Sequence, residues 1–379
     1  MTIIIQLYII TCVALLVFDL VFLLIKNRKT HTLYPTNTKF EKEIRQQLDD
    51  YEKNDAFSED FLNILPKRLE KVSNLITLVS VIQDQEEPRR LLSPYVFAMV
   101  EAYAKKSQSE QAYFAYAVSL MDYENANSVA PFTGKFMEFL DSNSIYTFSN
   151  AMNALYHFGD SNLLLAALKK VDERGEFYHK KLLIDGLLGG NINAEELNPQ
   201  IIQNFSAYGP YLQASLLDYF RMSNYQVKDF CLKIMKDDES DEEVRFTAMR
   251  YFAKFPCPES DAHFLTVLQN SQSQWVAQML AIQGLFHSDS GEVRSAIRNL
   301  ITSRDWHVRV NAAKYLYSHD LSHQEVYQIL SRRDKYADEI LLYCCREDPD
   351  LTEFITSTIQ KFEEDEKKES VPLGKEAMA

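Results

Sequence analysis

The sequence predicts an all-α chain in which one transmembrane helix precedes an α-solenoid of antiparallel helix pairs. Three observations carry this. Glycine and proline are scarce, at 10 and 11 of 379 residues, a composition that favours helices and leaves little material for hairpin turns. An almost unbroken apolar run fills positions 3–25. Aliphatic residues recur at Leu212, Val244, Val276 and Val308, each 32 residues from the next, and a fixed period of this size marks a repeated supersecondary unit.

The apolar run reads IIIQLYIITCVALLVFDLVFLLI, with Gln6, Thr11 and Asp19 as its strongly polar members. At about 1.5 Å per residue it crosses a hydrocarbon core of roughly 30 Å. No Lys or Arg precedes it and no small-residue cleavage pattern follows it, so a retained anchor is expected rather than a removed signal peptide. Lys26, Arg28 and Lys29 follow immediately. The positive-inside rule then places the N-terminus outside and the rest in the cytoplasm, giving a single-pass protein of the cell membrane. An ionised carboxylate inside the apolar run is costly, and Asp19 has two ways to meet that cost. It is solvated near the cytoplasmic end, or it makes an intramembrane contact with a polar group on another helix.

Residues 1–29 are therefore read as anchor and basic flank, and 30–58 as a polar linker with a charged juxtamembrane helix. Residues 59–173 form an N-terminal helical region, either degenerate repeats or a cap. Its segments near 59–84, 92–106, 109–122, 131–141, 144–158 and 161–173 carry apolar residues at three- and four-residue spacing. Repeats follow over 174–348, and 349–379 holds a capping helix and a charged tail of disordered composition.

Within the repeats, Asp241-Glu242-Glu243-Val244-Arg245 and Asp305-Trp306-His307-Val308-Arg309 share D-x-x-V-R-x-x-A, completed by Ala248 and Ala312. One turn beyond the periodic aliphatics stand Leu216, Ala248, Leu280 and Ala312, which lengthens a single buried stripe. Asp241 and Asp305 fall where a carboxylate caps free helix amides. Another helix precedes each of these, so the unit is a helix pair. The pattern resembles HEAT repeats over 209–318, and extends to 174–208 and 322–348. The sequence departs from it at Ala277, where the arginine is missing. The resemblance implies an array whose common role is to bind other proteins.

Charge and motif content narrow the chemistry. A net charge of −14 argues against nucleic acid, whose affinity rests on Lys and Arg. Cys12, Cys231, Cys257, Cys344 and Cys345 are scattered without C-x-x-C spacing, so neither a disulfide framework nor a zinc site is expected. Nucleotide, hydrolase, zinc-protease and calcium motifs are missing from the sequence. Thr133-Gly134-Lys135 matches only the end of a phosphate loop. His319 and His323 have the spacing of metal ligands on one helical turn, but the residues between them read as a loop. No catalytic, cofactor or metal site is expected.

The residues left for function are surface candidates. Arg245 and Arg309 either form a ladder with acids such as Asp241, Glu242 or Asp305, or line a groove and fork onto a partner's carboxylates. Tyr113, Tyr116, Tyr211 and Tyr219 combine ring area with a polar tip, as interface residues do. The expected function is a membrane-anchored, cytoplasm-facing scaffold that binds a protein partner, with a membrane-embedded enzyme such as a bacterial envelope-polysaccharide glycosyltransferase as a client. Two alternatives are an enzyme on a HEAT-like scaffold, of the DNA glycosylase or lyase type, and a sensor that binds a soluble regulator.

Overall fold

The computed structural model describes residues 6, 11–19, 36–121, 126–175 and 178–369, with backbone only at 126–131 and 367–369. Among them every regular element is helical. The chain divides into two compact units, Met1–Asn204 and Phe205–Ala379. No helix among the described residues is long and apolar enough to cross a membrane. Most of the apolar run at 3–25 lies outside the described residues, as do Lys26, Arg28, Lys29 and the tail beyond 369. Its described stretch, 11–19, is helical and leaves Val13, Leu15, Leu16, Val17 and Phe18 exposed.

The first unit begins with α1 (Thr38–Asn54), started by the Asn37 side chain, which accepts from the amides of Lys39 and Phe40. Its buried Phe40, Ile44 and Leu48 are four residues apart, one helical face. Then come α2 (Glu59–Leu69), α3 (Val72–Ile82), α4 (Glu86–Phe97), α5 (Val100–Ala104) and α6 (Gln108–Ser119). They are followed by α7 (Ala126–Phe139), α8 (Ile145–Phe158), α9 (Ser161–Arg174), α10 (Lys180–Gly189) and α11 (Ala194–Asn204).

The expected helix at 59–84 is two helices. The carbonyls of Arg68 and Leu69 are taken by the Asn74 amide and the buried Tyr103 hydroxyl, at 2.8 and 2.9 Å, so the break leaves neither unsatisfied. The segment expected at 92–106 starts earlier, at Glu86, and breaks at Ala98 and Met99.

Packing in this unit follows one rule. α1 packs on α3, α3 on α6, α6 on α8, and α8 on α10, while α2 meets α4, α5 meets α7 and α9 meets α11. Alternate helices therefore pack on one another through 59–173. The aromatic residues plentiful there form the core. Tyr103 stacks on Phe114 at 4.8 Å, and Phe136 meets Phe114 at 6.1 Å and the edge of Phe158 at 5.2 Å.

The second unit contains α12 (Pro210–Ser223), α13 (Lys228–Met235), α14 (Glu242–Phe252), α15 (Pro258–Gln269) and α16 (Trp275–Gly284). After these come α17 (Gly291–Asn299), α18 (Trp306–Ser318), α19 (His323–Leu330), α20 (Lys335–Cys345) and α21 (Pro349–Glu369). The helices that carry the 32-residue period pack in sequence, α12 on α14, α14 on α16, α16 on α18, and α18 continues onto α20. Their partners α15 and α17, and α19 and α21, meet on the other side. Leu212, Val244 and Val308 are buried and Val276 is half-buried, and Leu216, Ala248, Leu280 and Ala312 are all buried.

Caps fall where the sequence places them. Asp241 accepts from the Glu243 amide at 2.9 Å, and Asp305 from the amides of His307 and Val308 at 2.8 and 3.3 Å. Asp338 on α20 is less well served: its Oδ1 is buried without a hydrogen bond. Burial, followed by the nearby Asp334 charge, pushes its carboxyl up to about 6. A raised folded-state value means that ionisation opposes folding, so stability is lost as pH rises from 3.8 to about 6. Asp338→Asn is expected to stabilise the chain by about 1 kcal/mol at pH 7, after allowance for partial exposure, with the gain vanishing near pH 4. Urea denaturation at the two pH values checks this.

Candidate partner-binding surface

The sequence contains two tryptophans, and both stand in the first turn of a periodic helix. Trp275 opens α16 and Trp306 opens α18. They precede the aliphatics Val276 and Val308 and so fall off the buried stripe, leaving Trp275 44% and Trp306 51% exposed. His307 bridges them, stacked on Trp275 at 5.3 Å and edge-on to Trp306 at 5.1 Å. On the next helix of the stack Tyr336 is 63% exposed. The Arg309 guanidinium lies 5.1 Å from the centre of that ring, within cation–π range. Three consecutive periodic helices therefore present an aromatic ledge.

Beside the ledge is a cleft of about 280 Å³, lined on one wall by Met235, Phe246 and Met249 and on the other by Val267 and Ala277. Asp238, Glu242, Arg245 and His263 also line it. Arg245 donates from Nη1 to Asp238 Oδ1 at 2.9 Å, while its Nε is buried without a hydrogen bond. Burial holds the His263 ring below its ordinary value, with Lys236 adding to the effect; the ring is therefore neutral at pH 7. The residues leading into α14 run Asp237-Asp238-Glu239-Ser240-Asp241-Glu242-Glu243, and two of their carboxylates, Asp238 and Glu242, line the cleft.

The two arginines of the repeated pattern do not play the same part. Arg245 is partly exposed and faces the cleft. Arg309 is 8% exposed and donates through Nη1 to the carbonyls of Ser303 and Arg304, at 2.6 and 3.1 Å. It secures the turn leading into its own helix, so neither an acid ladder nor a fork onto a partner describes it. Its Nε is buried without a hydrogen bond, so the guanidinium is held by its own turn through Nη1 and is shielded from a partner.

Tyr219, taken from sequence as an interface residue, is 2% exposed. Its reason is register: Tyr219, Tyr251 and Tyr315 stand seven residues after Leu212, Val244 and Val308. Tyr251 accepts from the Val227 amide at 2.8 Å, and Tyr315 donates to the Ser288 carbonyl at 2.5 Å. These are internal tyrosines of the repeat, and the 32-residue period was enough to find them. Tyr211 is exposed at the start of α12, a neighbour of α14 in the stack. Tyr113 and Tyr116 lie on α6 in the first unit, half-buried and exposed respectively. Asp19 is exposed in the helical stretch 11–19.

Other sequence candidates resolve into structure. His319 caps the end of α18 and His323 begins α19, so they share no helical face. His319 stacks on Tyr315 and His323 on Phe354, both at 4.2 Å. Among the described residues no cluster of His, Cys, Asp and Glu could hold a metal ion. Thr133-Gly134-Lys135 lies inside α7, not in a loop that could cradle phosphate. Cys345 is buried and Cys344 half-buried.

The ledge itself was not found from sequence. Its signal was available, since both tryptophans stand one or two residues before a periodic aliphatic, where a buried stripe predicts outward side chains. The chain matches no family model and no curated protein.

Proposed function

We propose that this chain is a HEAT-like solenoid scaffold that binds a protein partner through the aromatic ledge of Trp275, Trp306, His307 and Tyr336. Support comes from the exposure of both tryptophans on neighbouring helices. Large rings with a polar tip are the side chains that dominate interface energetics, and exposing them to water has no benefit for folding. The pair-on-pair packing and the D-x-x-V-R-x-x-A pattern support the HEAT-like reading. Positions 3–25 act as the tether, holding the scaffold on the cytoplasmic face of a cell membrane, where it organises a membrane-embedded enzyme. Tethering raises the effective concentration of such a client without new contacts. The exposed apolar side chains of 11–19 and the basic residues after the run support that placement.

The test is site-specific photocrosslinking in native membranes, with the crosslinker at Trp306 and, as control, at Lys233 on α13. A discrete protein adduct is expected from position 306 alone. With the crosslinker kept at 306, the Trp275→Ala/Tyr336→Ala double variant is expected to lower capture of that adduct by about tenfold or more, as loss of interface anchors does. Identical adduct patterns from positions 306 and 233, or capture untouched by the double variant, would defeat the proposal.

A further inference from the structure

The ledge lies beside the place where the last helix ends. α21 follows α20 after a three-residue turn and packs on both α19 and α20, so it runs back along them toward the end of α20 that carries Tyr336. Phe362 meets Tyr327 of α19 at 5.4 Å, the Arg333 guanidinium lies 4.1 Å from the centre of the Phe362 ring, and Glu366 pairs with Arg333 at 3.3 Å. Arg333 stands three residues before Tyr336. The helix ends at Glu369, about 4.5 Å past Glu366 at the helical rise per residue. Its exit therefore falls at the Tyr336 end of the ledge. The composition changes at that exit. Residues 363–369 are all charged, whereas 370–379 read SVPLGKEAMA, with two apolar triplets, Val371-Pro372-Leu373 and Ala377-Met378-Ala379.

We propose that residues 370–379 serve as a displaceable cover for the ledge, with Pro372 and Leu373 seated against Tyr336 and Trp306. This rests on the ledge as the partner-binding surface, since the cover then competes with the partner. Reach allows it. Ten residues extend up to roughly 33 Å, while the two steps from α20 through α18 to α16 amount to roughly 16–20 Å at ordinary helix spacing. Charge also suits it. Lys375 and Glu376 cancel, and around the rings Arg304 is followed by Asp305 while Lys335 pairs with Glu339 at 3.9 Å, so a neutral segment meets a balanced rim. Proline-containing segments dock on aromatic surfaces because the ring is flat and the fixed φ leaves little entropy to lose. The tether holds the segment at millimolar effective concentration, so a contact too weak to form between separate molecules is made here for most of the time.

The experiment uses the full chain in detergent micelles. Both tryptophans of the sequence lie on the ledge, so tryptophan emission reports that surface alone. Acrylamide quenching of the emission is compared between the parent and Pro372→Ser/Leu373→Ser, with the thermal melt as the check that the variant folds. The variant is expected to be quenched about twice as readily, because a segment at millimolar effective concentration shields the rings for most of the time. A photocrosslinker at position 306 of the purified, dilute chain is expected to form an intrachain bond that maps to 370–379, and one at position 233 is expected not to. Equal quenching of the parent and a folded variant, a crosslink from 306 that never maps to 370–379, or one found only between two chains would overturn the cover. The scaffold reading fails separately: an intrachain link with no partner adduct in native membranes leaves the cover standing, and a partner adduct with no link to 370–379 leaves the ledge as an open docking surface.

Discussion

Replacing Gly284 by alanine is expected to destabilise the second unit by about 2–3 kcal/mol, in spite of the better helix propensity of alanine. A Cβ built at Gly284 falls 2.1 Å from Phe264 Cε2 and 2.6 Å from its Cδ2. Phe264 is wholly buried on α15, so its ring has nowhere to retreat in a close-packed interior. In the other periodic helices this register carries Phe220, Phe252 and Leu316, all fully buried. On α16 the ring arrives from the partner helix instead and the periodic position yields. Guanidinium denaturation should show a lower midpoint for Gly284→Ala, and Phe264→Leu introduced alongside should restore part of the loss. A midpoint unchanged from the parent would mean that α15 and α16 are not packed as described.

The second large effect is expected at Glu325. Arg294 on α17 grips this carboxylate on α19 with two bonds, Nε to Oε1 at 2.6 Å and Nη2 to Oε2 at 2.8 Å. Arg294 also donates to the His319 carbonyl at 2.6 Å and to Asp289 at 3.0 Å. Side-chain exposures of 19% and 13% leave the pair mostly shielded from water. The Arg294 bonds, with help from Ser322, draw the Glu325 carboxyl down to about 2. Because the folded-state value is depressed, this contribution is complete above the ordinary value of 4.5 and is lost as pH falls toward about 2. Glu325→Ala is expected to cost about 2–3 kcal/mol at pH 7, since it leaves a shielded guanidinium short of its bidentate acceptor and dissolves the Ser322 capping box. Near pH 2 parent and variant should converge. A difference that persists undiminished at pH 2 would remove the ion pair as its cause.

Much of the second unit was legible from sequence because buried stripes on stacked helices must repeat. The stripe of Leu212, Val244, Val276 and Val308 and the caps at Asp241 and Asp305 follow from local rules alone. The first unit was harder. Its core is built of rings such as Tyr103, Phe114 and Phe136, which tolerate varied spacing and leave no constant period. Breaks such as that between α2 and α3 depend on a distant tyrosine taking a carbonyl, which no local pattern announces. At the candidate site, the same residue type met opposite fates: Arg309 went inward to its own turn and Arg245 outward to a cleft. What separates them is their surroundings: Arg309 bonds its own turn and lies against Tyr336 on α20, whereas Arg245 pairs with Asp238 at the cleft.

The pair-on-pair packing also bears on how force and disorder travel through each unit. A helix here finds its main contacts in the pair before and the pair after it, so contacts are short-range along the chain and the topology favours rapid folding. A strain applied at one end is passed hand to hand through successive pairs, each able to give by a small rotation, and damage in one pair is felt chiefly by its immediate neighbours. On the scaffold reading proposed above, such a unit bends to fit its client without unfolding, as a leaf spring bends.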